Sequence, residues 1–108
     1  MIEIKKLSGE NVKLTRDTHF SYIADYGFQA RGFDSNFMVE IKSEEEIKDF
    51  LARGSCGCVT VKKDKVDKNS YNLKIHYDSK LLGRIIKTVW ININGDKWEI
   101  KLRGSVKN

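Results

Sequence analysis

"SEEEIKDFLARG", Ser43 to Gly54, is the stretch whose reading decides the fold class. Ser43 and Glu46 match a capping box, in which the hydroxyl accepts the third helical amide and the glutamate reaches back to the cap amide. Glu44, Glu45 and Glu46 suit the positive end of a helix dipole, and Arg53 suits the negative end. Ile47, Phe50 and Leu51 fall at i, i+3 and i+4, a narrow apolar stripe. Gly54 then supplies the flexible residue that commonly follows a helix. This spacing predicts a helix over about 43–53. The acidic triplet has a structural task in that helix, so it is not assigned to a metal.

Outward from this stretch the periods change to two. Phe37, Val39 and Ile41 alternate as a strand just before Ser43. "IEIKKL" and "NVKLTR" read as a hairpin around "SGE", with Ile2, Ile4, Val12 and Leu14 facing the core. Residues 17–36 sustain neither period and read as a long loop, with short strands as the alternative, pinned by Phe20, Tyr22, Tyr26, Phe28 and Phe33.

The C-terminal half reads as a meander. "CVTVKKDKV" and "SYNLKIHY" pair near "DKN", and Asn94-Gly95 closes a hairpin between "GRIIKTVWINI" and "DKWEIKLRG". That turn sets Val89, Ile91 and Ile93 opposite Trp98 and Ile100. Leu81, Leu82, Ile85, Ile86 and Val89 also fit a helical stripe capped by Asp78 or Ser79. The hairpin register favours a strand from about Arg84. The sum is an α+β fold: an antiparallel sheet of six or seven strands, rich in meander, with one helix packed on one face. At 108 residues a single domain spanning 1–108 is expected.

Net charge is +5, unevenly placed. Residues 1–61 hold 8 Lys/Arg and 10 Asp/Glu, whereas residues 62–108 hold 12 and 5. A basic C-terminal half points to an acidic partner, although lysine also guards strand edges. No apolar run is long enough to span a bilayer, and the N-terminus has no signal-like core. No membrane and a cytoplasmic location are therefore expected.

Cys56 and Cys58 flank Gly57. A bond between them would close a very small ring, so free thiols are expected. A zinc site would need His19 and His76, neither of which has a second ligand at the usual spacing, and no metal or other cofactor is expected. On the polar side of the strands alternation gathers Lys62, Lys74, His76, Lys97, Lys101 and Arg103 on one face, with Trp90 as an outward indole. Tyr26 and Arg31 would add contacts from the loop.

These features predict a small non-enzymatic basic binding protein, an inhibitor or accessory factor. Its partner would be an acidic protein surface, a nucleic-acid-handling protein or nucleic acid itself. A different class, a small endoribonuclease-like enzyme, would use His19 and His76 as acid and base. A subunit of a larger assembly such as a virion is a third reading. No phosphate loop, dinucleotide fingerprint or serine elbow occurs in the sequence.

Overall fold

Ser43 does not start a helix. In the computed structural model of the chain, which describes residues 1–9, 11–78 and 80–108, it closes a strand. Residues 44–49 then cross in irregular backbone to the next strand, which begins at Phe50. Nine strands are described: β1 (Ile2–Ser8), β2 (Lys13–Thr18), β3 (Ser21–Ala30), β4 (Asp34–Ser43), β5 (Phe50–Gly54), β6 (Val59–Asp67), β7 (Ser70–Asp78), β8 (Gly83–Ile93) and β9 (Asp96–Lys107). No helix occurs among the described residues, so the expected α+β class is corrected to all-β.

The strands form two sheets, β1-β4-β7-β6 and β2-β3-β9-β8-β5. All pairings are antiparallel except β3 with β9. Residues 31–33, 44–49 and 55–58 each connect one sheet to the other, and β1 and β2, like β7 and β8, are consecutive strands on opposite sheets. Inward residues of both sheets share one core. Phe37, Val39, Ile41, Leu73 and Ile75 come from the four-stranded side, and Val89, Ile91, Ile93, Ile100 and Leu102 from the other. Each such side chain contributes on the order of 1.5–3 kcal/mol when fully buried. The sheets also meet through rings: Phe50 stacks on Tyr71 at 4.1 Å, and Tyr26 packs edge-on to Phe37. Taking β1, β4, β5, β6, β7, β8 and β9 as strands A to G gives the A-B-E-D and C-F-G sheets of an immunoglobulin constant-type sandwich. β3 and its hairpin partner β2 widen the second sheet.

The helix reading fails because tertiary partners satisfy the crossing segment's backbone. Ser43 Oγ accepts the amide of Glu45 at 3.1 Å, a local serine turn rather than a cap. The Ile47 amide donates to Lys68 O at 2.8 Å, and the Glu44 amide to Met1 O at 3.2 Å. Asn94 does most of the rest. Its Oδ1 accepts the amides of Lys48 (2.8 Å) and Asp49 (3.0 Å), its Nδ2 donates to Glu46 O, and its own amide donates to Asp49 O. Ile47 and Phe50 are buried as expected, but Leu51 points to solvent, so the apolar stripe was two separate anchors.

Three other expectations change. β1 pairs with β4 and β2 with β3, so the N-terminal hairpin does not form; Glu10 of its turn lies outside the described residues. Residues 17–36 are largely strand, because Tyr22, Ala24 and Tyr26 alternate inward while Ile23 and Asp25 face out. Cys56 and Cys58 are joined in a disulfide. The chain turns at residues 55–58 instead of extending, which brings the two Cα atoms to 5.3 Å, within the ordinary range for such a bond.

Other readings agree with the structure. β6 and β7 pair across Lys68-Asn69, and Asn94 and Gly95 both take positive φ, 51° and 89°. The 84–93 stretch is strand; Ser79, the alternative cap, lies outside the described residues. Asn94→Gly keeps the left-handed turn, which glycine adopts without steric cost, and removes the side-chain bonds to the crossing segment. Urea unfolding should show a loss of about 1–2 kcal/mol. An unchanged midpoint would show that those bonds do not hold the crossing.

Candidate binding face on the five-stranded sheet

Alternation assigns side chains to inside or outside, and the sheets then divide the outside into two faces. Lys62 on β6 and Lys74 and His76 on β7 lie on the four-stranded sheet. Trp90 on β8 and Lys97, Lys101 and Arg103 on β9 lie on the other. The single cationic face expected from the sequence therefore does not exist: β7 and β8 are consecutive in the chain but belong to opposite sheets. His19 sits in the β2–β3 turn of one sheet and His76 on the outer face of the other, so the structure does not assemble them as an acid–base pair.

The five-stranded face is built row by row. Arg53, Trp90 and Glu99 are neighbours across β5, β8 and β9, and Leu51, Asn92 and Lys97 form the next row. Trp90 is 39% exposed, and the Arg53 guanidinium lies 5.0 Å from its ring centre, a cation–π contact. Leu51 is 66% exposed beside them. These side chains border a concavity of about 600 Å³. Further along the same face, Ile86 and Phe28 are also exposed, and Lys107 covers the Phe28 ring at 4.4 Å. A second concavity of about 480 Å³ lies there, bordered also by Arg84 and Arg103.

The local backbone shapes that end. The β3–β9 register shifts between Asp25 and Phe28, around Gly27 at φ 64°. A Cβ on Gly104 would lie 2.8 Å from Gly27 O, so glycine there permits the close approach. The bulge turns Phe28 outward from the inward series of Tyr22, Ala24 and Tyr26.

Not every expected contact residue is free to bind. Lys101 Nζ holds Asp17 Oδ2 at 3.0 Å. Arg103 donates to the carbonyls of Lys87 and Leu102, both at 2.9 Å. Tyr26 is 2% exposed among Phe33, Phe37 and Tyr77, so it is a core residue and the expected surface role is corrected. Burial raises its phenol well above the ordinary value, and Tyr77 adds to this. The Ser35 hydroxyl offsets part of the rise, although no hydrogen bond of ordinary geometry joins them. Arg31 is exposed in the β3–β4 turn, where its amide donates to Lys107 O at 2.8 Å.

Leu51, Arg53, Phe28 and Ile86 were not anticipated as surface contacts. Ile86 carried a legible signal, since it shares the outward parity of Trp90. Leu51 and Arg53 were hidden by the helical reading.

No family model matches the sequence, and no curated protein matches it. A solved structure of domains 4 and 5 of the S-layer protein SbsC is similar in fold over 94% of this chain, at 11% identity and a TM-score of 0.47. The chain spans about half of that structure's length, 54%.

Asp17 gives the face a pH signature. Lys101 first, and then the Ser21 hydroxyl, hold its carboxyl below the ordinary value of 3.8. A lowered folded-state value stabilises the fold fully above the unfolded value and is lost as pH falls through the folded one. The stability of the parent should therefore decline through the acid side of pH 3.8, and Asp17→Asn should flatten part of that decline in acid titrations followed by circular dichroism. Identical acid limbs would remove Asp17 from the account.

Proposed function

We propose that this chain is a non-enzymatic binding module that docks a protein partner on the outer face of its five-stranded sheet. The observation that carries the reading is Trp90 under Arg53 beside exposed Leu51. Tryptophan and arginine dominate the energetic centres of protein interfaces, because they combine large apolar area with a polar handle. The sheet fixes their backbone and the cation–π contact sets the Arg53 guanidinium over the indole, which lowers the ordering cost of docking. Arg53 and Lys97 beside the indole, with Arg84 further along the same face, favour a partner whose surface is acidic.

Two details bear on the alternatives. The separation of His19 and His76 takes away the arrangement a two-histidine ribonuclease would use. The exposed rings of this face, Trp90 and Phe28, border separate concavities and form no continuous track for successive bases, so protein is favoured over single-stranded nucleic acid. The Cys56–Cys58 bond persists best in oxidising surroundings, which favours action outside a reducing cytoplasm over the cytoplasmic placement expected from the N-terminal sequence.

The test is affinity capture from extracts of the native host, with the parent and Trp90→Ala immobilised side by side and nuclease added to both. The proposal expects an acidic protein held by the parent through nuclease treatment, with affinity for the variant lower by roughly thirtyfold, the worth of about 2 kcal/mol. Equal capture by the variant, or loss of capture on nuclease treatment, contradicts it.

A further inference from the structure

The other outer face carries a separate arrangement that this proposal does not use. Across β4, β7 and β6 the rows read Asn36–His76–Thr60 and Met38–Lys74–Lys62. Lys62 and Lys74 are thus directly opposite each other, and like charges in that position destabilise a sheet. Neither ammonium forms an ion pair with a described residue. The carboxylates of the next row, Glu40 and Asp64, do not reach them; Glu40 lies 4.0 Å from Lys42 instead. The side chains of Asn36 and Thr60 make no hydrogen bond within the described residues. Only His76 is engaged, with its Nε2 against the Asp34 carboxylate. Together Asn36, Thr60, Lys62, Lys74 and His76 border a concavity of about 220 Å³.

We propose that this concavity is a binding site for a tetrahedral oxyanion, the phosphate or sulfate group of a ligand. Two ammonium groups supply a charge that matches a dianion and removes the repulsion between them. The Asn36 amide and the Thr60 hydroxyl add neutral donors from the two flanking strands. Donors arriving from three strands suit an anion with oxygens pointing in several directions. A planar carboxylate is served better by the fork of an arginine, and no arginine borders this site. His76 is oriented by Asp34, so that carboxylate is directed at the imidazole and not into the lysine pair. The site is independent of the Trp90 face, which lies on the opposite sheet.

The experiment is amide-resolved NMR titration of the whole chain with inorganic phosphate and, separately, with sulfate, chloride being adjusted to hold ionic strength constant. Saturable shifts centred on residues 36, 60, 62, 74 and 76 are expected. Saturation by phosphate alone, by sulfate alone or by both supports the site and names its preferred oxyanion. Lys74→Gln should weaken binding at least about tenfold through loss of a charge-assisted bond. Lys62→Glu, which gives Lys74 a partner of opposite sign, should abolish binding while keeping a thermal midpoint no lower than the parent's. Lys13→Gln on the other sheet should bind as the parent does. Unsaturable shifts spread over lysines of both sheets, or full affinity in Lys74→Gln, overturn the proposal.

Discussion

The fold depends on how residues 44–49 cross from the four-stranded to the five-stranded sheet. An irregular crossing cannot satisfy its own backbone, and because only Ile47 of its six residues is buried, the segment is held by that anchor and by hydrogen bonds made at the surface. Asn94 supplies the missing partners from the far end of the β8–β9 hairpin, while Lys68 and Met1 supply two more. The same residue therefore makes the hairpin turn with its backbone and holds the crossing with its side chain. Once the crossing is held, Phe50 leads β5 onto β8, and the division of strands between the sheets follows.

That division governs the functional reading. Consecutive strands such as β7 and β8 contribute to opposite outer faces, so their outward residues belong to different surfaces. The Trp90 face combines an indole, a guanidinium and exposed aliphatic side chains. The other face carries the Lys62–Lys74 pair, neither ammonium of which has an ion-pair partner among the described residues. A sandwich that presents two chemically distinct faces can engage two ligands without either site disturbing the core between them. The Cys56–Cys58 bond sits in the β5–β6 connection between the sheets, where the Ser55 amide donates to Thr88 O and the Asp78 amide donates to Cys58 O.

How much of this was legible in the sequence varies with the range of the interactions involved. The Asn94-Gly95 turn and the alternation of Phe37, Val39 and Ile41 are local, and they were read correctly from residue type and period. The Ser43–Glu46 pattern is equally local, yet it misled: a serine that can cap a helix can also bond its neighbour's amide in a turn, and the choice fell to Asn94, far away in sequence. Tyr22, Ala24 and Tyr26 face inward with Ile23 outside, which inverts the usual polarity contrast and conceals a strand. Sheet membership left no local trace. Parity placed Lys62, Lys74 and Lys97 outside correctly, but only long-range pairing assigns them to different faces. The disulfide was hidden for the same reason, since its feasibility rests on a turn and not on the extended spacing that sequence implied.

Tertiary hydrogen bonds override a helical signal in residues 43–54. Backbone chemical shifts of that segment in the intact chain test it most directly. Extended values are expected at Ser43 and at 50–54, with non-helical values between them. A continuous run of helical shifts from Glu44 to Arg53 would contradict it.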